Sequence, residues 1–230
     1  LASSVTSIGP NAFYGTDLDS SATVDFNGVD CATATSGAAA PFEFTCPTSN
    51  QMYMYTSSTT CVYNTISCCG TATNIVINPT VITIAEEAFR ECNTIVSVDF
   101  ASATSLTMIG DKAFVKMDLL ATVDMSGVTQ TLTIGKRAFS CDSPTALSSV
   151  KFSSSTTTVG DEAFMDCTTL VIVDFSSATS LTTIGKRAFS STTSLNSIDM
   201  SATALTDINT EAFMDSTVND LRLVSSITKL

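Results

Sequence analysis

The sequence predicts a β-rich solenoid of the α/β kind, a right-handed stack of coils with short strands and short helical or 3₁₀ turns. The first observation is a short phrase ending in Ala-Phe that recurs along the chain. The second is its spacing: the phenylalanines from Phe89 to Phe189 follow one another every 25 residues, and the last interval, to Phe213, is 24. The third is a column of apolar–polar–apolar triplets in step with the phrase. A fixed period of this kind is typical of stacked-repeat architectures.

The recurring phrase forms the corner and the core of each predicted coil. It consists of an apolar residue, usually a glycine, two polar residues and Ala-Phe. The glycine suits a sharp corner where a side chain would clash, and Ala-Phe is expected to begin the helical or 3₁₀ turn. The constant spacing predicts a stacked column of buried phenylalanines. The copies are Ile8–Phe13, Ile84–Phe89, Ile109–Phe114, Ile134–Phe139, Val159–Phe164, Ile184–Phe189 and Ile208–Phe213.

The triplets predict one strand in each coil, because apolar residues two apart around a polar centre give a strand one buried face. A second short strand is expected just before each phrase. The interval from Phe139 to Phe152 is two residues longer than in the neighbouring repeats, and the interval from Phe152 to Phe164 is two residues shorter. The 25-residue period is therefore kept. The triplets are Val24–Phe26, Val98–Phe100, Val123–Met125, Val150–Phe152, Val173–Phe175, Ile198–Met200 and Leu221–Leu223.

We divide the predicted solenoid into an N-terminal repeat at 1–26, a Cys-rich segment at 27–80 and regular repeats at 81–230. The middle segment is either two degenerate coils, with strands near 52–55 and 75–77, or an insertion. Its five cysteines suggest one or two disulfides and an oxidising compartment, with undetermined pairing. They are Cys31, Cys46, Cys61, Cys68 and Cys69.

Composition excludes several classes of function. The net charge is −12 with no basic run, which disfavours nucleic acid and anionic membranes as partners. No apolar run approaches the roughly 18 residues that a membrane-spanning helix needs. The chain has no histidine, the commonest general base, and no glycine-rich phosphate loop, so we predict no enzyme and no cofactor. The threonine-rich strands suggest ice or mineral binding only if threonines align between coils, which we do not expect.

The phrase Ile-Gly-x-x-Ala-Phe-x-x-Cys-x-x-Leu, clearest at Val159–Leu170, resembles the BspA-type leucine-rich repeats. The resemblance covers about 81–223 well and 1–26 partly, and it implies a surface or secreted interaction protein, often adhesive. In that family the cysteine three residues after the phenylalanine is a core position, which Cys92 and Cys167 match. Cys141 departs from the pattern because it comes two residues after its phenylalanine. We expect these three cysteines to be buried thiols rather than disulfides.

The two residues between the glycine and Ala-Phe alternate in charge from coil to coil. Equivalent residues of stacked coils lie about 4.8 Å apart, so acids meet bases at most interfaces. Each exposed pair contributes only about 0–1 kcal/mol, but the order of signs disfavours slipped stacking. We interpret this column as an inter-repeat charge ladder, with a docking strip as the alternative. The ladder is Glu86, Glu87, Asp111, Lys112, Lys136, Arg137, Asp161, Glu162, Lys186, Arg187 and Glu211.

The triplet centres carry a column of carboxylates that Lys151 and Arg222 interrupt. Like charges opposite each other on neighbouring strands are destabilising, so the column is either simply solvated or binds a cationic partner, a divalent cation or another copy's basic residues. Ca²⁺ prefers such oxygen ligands, but no Asp-x-Asp loop motif is present and we assign no metal site. The column is Asp25, Asp99, Asp124, Asp174 and Asp199.

These observations predict a non-catalytic interaction or adhesion protein, extracellular or at the cell surface, that binds protein partners through one solenoid face. The alternative is a structural subunit of an extracellular filament or sheath. The chain starts inside a repeat and stops just past a strand, and uncapped solenoid ends are expected to stack head to tail.

Overall fold

The computed structural model describes residues 51–54, 73–141 and 145–227. These residues form short parallel strands wound into a solenoid. The strands are β1 (Gln51–Met54), β2 (Asn74–Ile77), β3 (Thr83–Ile84), β4 (Ser97–Asp99), β5 (Met108–Ile109), β6 (Thr122–Asp124), β7 (Leu132–Ile134), β8 (Ser149–Lys151), β9 (Thr156–Val159), β10 (Ile172–Asp174), β11 (Thr183–Ile184), β12 (Ser197–Asp199), β13 (Asp207–Ile208) and β14 (Asp220–Arg222).

Each regular coil contributes one strand to each of two sheets. Sheet A has the order β1-β2-β4-β6-β8-β10, and sheet B has the order β3-β5-β7-β9-β11-β13. β12 and β14 pair with each other and follow β10 in the same alternation of strands along the chain. In sheet A the first residues of the triplets, such as Val98 and Val123, are in register with one another and buried. In sheet B the first residues of the phrases, such as Ile109 and Ile134, are likewise in register and buried. The predicted β-solenoid with a period of about 25 residues is confirmed.

The core between the sheets contains the predicted phenylalanine column. Neighbouring rings from Phe89 to Phe213 stack nearly parallel, with centroids 5.0–5.6 Å apart. Phe152 and Phe175 stack on each other in a second column and meet the first column edge to face. Both arrangements are favourable for aromatic pairs.

The turns after Ala-Phe differ from the sequence expectation, because the described residues contain no helix. In each of these turns the residue before Ala-Phe has positive φ, for example 56° at Glu87 and 57° at Glu162. Alternate N–H groups of the turn then donate to the next coil: Phe89 N–H donates to the Ala113 carbonyl at 2.8 Å. The N–H groups between them, such as those of Ala88 and Arg90, donate within the turn to carbonyls three residues earlier. A residue in the left-handed region interrupts a continuous helical pattern, so the turn divides its hydrogen bonds between its own coil and the next.

The glycine corner is needed for close approach between coils. A Cβ built on Gly160 would lie 2.6 Å from the carbonyl oxygen of Ile134 in the preceding coil, a distance that requires the backbone to move. Gly160 N–H also donates to that oxygen at 2.9 Å.

The predicted segment 27–80 is described only in part. β1 pairs with β2 in parallel, and β2 pairs with β4, so both strands extend sheet A. Residues 1–50 and 55–72 lie outside the described residues, together with Asp25, Cys31, Cys46, Cys61, Cys68 and Cys69. The boundaries at 26 and 80 stay a prediction.

The expectation of buried thiols at Cys92, Cys141 and Cys167 is wrong. Cys141 and Cys167 form a disulfide between adjacent coils, with their Cα atoms 4.9 Å apart, and Cys92 is also disulfide-bonded. All three are buried as expected. The departure of Cys141 from the repeat was the missed signal: it lies 26 residues before Cys167, one coil and one residue, which brings the side chains together across an interface.

We expect Phe139→Ala to lower the free energy of unfolding by about 3–5 kcal/mol, because it removes a fully buried ring from the column. Phe139 stacks on Phe114 and on Phe164, so two interfaces lose a contact. Urea denaturation measures the loss. Leu119→Ala is the control, since Leu119 is 50% exposed and its truncation should change stability by less than about 0.5 kcal/mol. Equal effects of the two substitutions would contradict the role of the column.

Candidate functional site

The outer face of sheet A and its continuation β12–β14 carries the carboxylate column as far as the structure describes it. Asp99 lies opposite Asp124, and Lys151 stands between Asp124 and Asp174 in the strand register. Farther along, Asp199 pairs with Arg222, whose guanidinium lies 3.7 Å from the carboxylate. Among the strand pairs whose register the structure gives, acid stands directly opposite acid at Asp99 and Asp124.

Each carboxylate of the column closes a turn at the end of its strand. Its Oδ1 atom accepts the backbone N–H of the residue two positions later, as short Asx turns do. The distances are 2.7 Å at Asp99 and 2.9 Å at Asp124, Asp174 and Asp199. This local role was not predicted from the sequence, although three of these strands are followed by an Asp-x-Ser spacing that is typical of such turns.

The turns also favour the charged form of the carboxylates. The hydroxyl and backbone N–H of Ser176 lower the pKa of Asp174 below its ordinary value, and those of Ser201 lower the pKa of Asp199. Partial burial alone raises the pKa of Asp124, but the hydroxyl and N–H of Ser126, with the charge of Lys151, outweigh it and lower that pKa overall.

An exposed apolar spot interrupts the polar face beside Asp174. Ile172 lies two residues before Asp174 on β10, hence on the same side of the strand, and is 56% exposed. Its register partner on β8 is Ser149, and the equivalent residue of β6 is Thr122. Val171, next to Ile172, is exposed as well.

The charge ladder lies on the corner that follows sheet B, and its contacts alternate between two kinds of interface. At three interfaces the contact is an ion pair between side chains. Lys112 Nζ lies 3.0 Å from Glu87, Arg137 Nε lies 3.0 Å from Glu162, and Arg187 contacts Glu211. Lys136 and Lys186 lie farther from the same two glutamates, at 3.9 Å.

At the two intervening interfaces an aspartate bonds to backbone. Asp111 Oδ1 accepts the N–H of Lys136, and Asp161 Oδ1 accepts the N–H of Lys186, both at 2.8 Å. Glu86 forms no ion pair within the described residues. The contacts of the ladder thus alternate, with ion pairs at three interfaces and aspartate-to-backbone hydrogen bonds at the two between them.

Threonines on sheet B align better than expected. Thr133, Thr158 and Thr183 are in register on adjacent strands, so the expectation that threonine columns do not align is wrong for these three coils. The column is short, because Met108 replaces threonine before Thr133 and Asp207 replaces it after Thr183.

The described residues contain no cluster of three or more metal-ligating side chains. They also contain no helix that is long and apolar enough to cross a membrane.

Comparison with known proteins identifies the repeat. The profile of the BspA type leucine rich repeat region matches the chain in six copies, over residues 59–146 and 133–230. The chain belongs to this family. The resemblance inferred from the phrase is therefore confirmed. No curated protein sequence matches the chain significantly.

Two solved structures resemble this BspA-type chain. A leucine-rich repeat protein from Bacteroides ovatus is 21% identical over 98% of this chain and 60% of its own, with a TM-score of 0.51. A leucine-rich repeat protein from T. pallidum is 22% identical over 67% of this chain and 60% of its own, with a TM-score of 0.43. The chain spans about three fifths of the length of each protein. At 21% identity the likeness to the Bacteroides ovatus protein concerns the fold alone.

The family also narrows the kind of function. BspA-type repeats are typical of surface or secreted bacterial proteins, and the repeat generally serves as a non-catalytic scaffold for contacts between proteins.

We expect Asp174→Asn to reduce the acid sensitivity of the fold. A carboxylate whose pKa is lower in the folded state stabilises it above the unfolded pKa, near 4, and this stabilisation disappears as pH falls through the folded pKa. Asparagine keeps the Oδ1 acceptor but does not titrate. The urea midpoint of the variant should therefore fall less than that of the wild type between about pH 5 and pH 2. Parallel curves would rule out this linkage.

We expect Lys136→Glu with Arg137→Glu to destabilise the protein by about 1–2 kcal/mol at low salt, since both new acids face Glu162. Adding Glu162→Lys should recover most of the loss, because opposite charges then meet again. Urea denaturation measures all three proteins, with high salt as the control, which should shrink the differences by screening. No recovery in the triple variant would contradict the pairing.

Proposed function

We propose that the chain is a non-catalytic interaction protein, outside the cell or at its surface, that binds a basic protein partner through the outer face of sheet A. The observation that carries the proposal is the carboxylate column at Asp99, Asp124, Asp174 and Asp199, each held in place by its own turn. The family supports the general function, and the chemistry of this face supports the class of partner.

Fixed carboxylates favour binding because less conformational freedom is lost when a partner docks. Their lowered pKa values keep Asp124, Asp174 and Asp199 ionised well below neutral pH. Lysine and arginine side chains are the natural complement, through charge-assisted hydrogen bonds to the carboxylate oxygens. The net charge of −12 strengthens the attraction of a basic partner over longer distances.

The exposed side chains of Val171 and Ile172 add an apolar contact within the same face. Protein interfaces commonly combine a small apolar centre with a charged surround. The spot lies beside Asp174, near the middle of the described column, where a partner that contacts several carboxylates would cover it.

An extracellular or surface location agrees with the cysteine chemistry. Cys141 pairs with Cys167, and Cys92 is also disulfide-bonded. Disulfides persist mainly in oxidising compartments. The filament alternative stays a prediction, which electron microscopy of the purified protein tests directly.

The binding proposal is tested with a short oligolysine peptide and two matched double variants. Asp124→Asn with Asp174→Asn removes two charges from sheet A and keeps both turn acceptors. Asp111→Asn with Asp161→Asn removes two charges from the ladder side and keeps the acceptors for Lys136 and Lys186 N–H.

Calorimetry should show the sheet A variant binding the peptide at least about fivefold more weakly, which corresponds to roughly 1 kcal/mol. The ladder variant should bind like the wild type. Equal weakening in both variants would mean that only net charge matters, and unchanged binding in both would exclude the column; either result overturns the assignment of this face.

A further inference from the structure

One coil, residues 139–163, departs from the repeat in both sheets. Its strand β8 lies 27 residues after its partner positions in β6 and 23 before those in β10, whereas β4 and β6 are 25 apart. Among the described strand pairs a step of 23 otherwise occurs near the two ends of the stack, and a step of 27 occurs at this coil alone. In sheet B its strand β9 carries an extra residue against β7, because Leu132 pairs with Thr156 while Thr133 pairs with Thr158. The strand ladder is therefore bulged at this coil.

The turn of this coil also lacks a feature that the equivalent turns of the other described coils share. The second residue after the phenylalanine has positive φ at Glu91, Lys116, Asp166, Ser191 and Asp215, whereas Cys141 holds that place without it.

The core of the coil is more polar than that of its neighbours. After its strand in sheet A, the N–H of Thr156 donates to the Ser153 carbonyl, and both side chains are buried with their hydroxyls 2.9 Å apart. The same backbone bond in the flanking coils is formed by Val128 and Ala178, which are apolar. Buried hydroxyls contribute less hydrophobic stabilisation than the methyl groups they replace.

The Cys141–Cys167 disulfide joins this irregular coil to the regular coil that follows it. Cys141 is also the residue that lacks the positive φ found at the equivalent position of the other described turns. In a solenoid each coil is held only by its neighbours, so a coil with weaker contacts opens before the rest. A covalent link to the next coil opposes that opening.

We propose that the Cys141–Cys167 disulfide is a redox-controlled lock on coil 139–163. When it is intact the solenoid is continuous; when a dithiol reductant reduces it, this coil opens locally while the stacks on either side remain folded. Opening separates Asp99 and Asp124 from Asp174 and Asp199, although the lock itself does not depend on the proposed binding face.

The chemistry requires two electrons and two protons from the dithiol. One of its thiolates attacks the Cys141 sulfur, which belongs to the more exposed of the two residues, at 7% against 0% for Cys167. The S–S bond breaks, and Cys167 leaves as a thiolate and takes up a proton. The second thiol of the reductant then displaces Cys141 and forms the reductant's own disulfide, which leaves two protein thiols.

Hydrogen exchange of the Cys141→Ser, Cys167→Ser double variant tests the lock. A variant is preferable to reduction alone, because a reductant also reaches the disulfide of Cys92. Amides of 145–163 should exchange at least about tenfold faster than in the oxidised wild type, since the loop constraint is removed, while those of 81–113 and 189–213 should change little. The single variant Cys92→Ser is the matched control and should leave 145–163 unchanged.

Limited trypsin digestion gives an independent readout, because Lys151 is the one lysine or arginine between Arg137 and Lys186. The double variant, and the wild type treated with dithiothreitol, should be cut at Lys151 under conditions in which the oxidised protein is not. Uniform acceleration of exchange along the solenoid would mean that the disulfide stabilises the whole solenoid rather than this coil. Unchanged exchange in 145–163 would mean that the coil is held without it. Either result overturns the proposal.

Discussion

The structure depends on one geometric constraint: equivalent residues of successive coils must lie one strand spacing apart along the whole stack. The phenylalanine column meets it with ring separations of 5.0–5.6 Å, and the strands of both sheets meet it through parallel pairing. Glycine corners are needed because a Cβ at Gly160 would strike the backbone of the preceding coil. The turns keep the same spacing, because their alternate N–H groups donate to carbonyls of the next coil.

The same constraint explains why the sequence predicted the fold well. A residue that must repeat every 25 positions leaves a visible period, and the buried phenylalanines and valines were therefore located from spacing alone. The turn geometry left no such signal. Positive φ falls on Glu87, Lys112 and Arg137, which are not residues that favour it, because the hydrogen bonds between coils stabilise the conformation from outside the turn.

The candidate site was predicted only as a set of positions. That four carboxylates lie on one face follows from the triplets, but their turn hydrogen bonds depend on backbone geometry after each strand. The disulfide between Cys141 and Cys167 was missed because the family pattern treats such cysteines one coil at a time, whereas the bond connects different positions of two coils. The two-coil alternation of the ladder likewise depends on which carboxylates turn toward backbone.

The carboxylate column raises the question of which part of it the fold requires. An asparagine closes the same turn, because its side-chain oxygen also accepts an N–H two residues later. The turn therefore explains the shape of the side chain, and its hydrogen bonds also favour the charged form at Asp124, Asp174 and Asp199. Charge has a cost here, since Asp99 stands directly opposite Asp124 and like charges at that distance destabilise paired strands. Lys151 offsets the cost only for Asp124 and Asp174. The repulsion between Asp99 and Asp124 is a cost that a basic partner would relieve, which agrees with the proposed binding face.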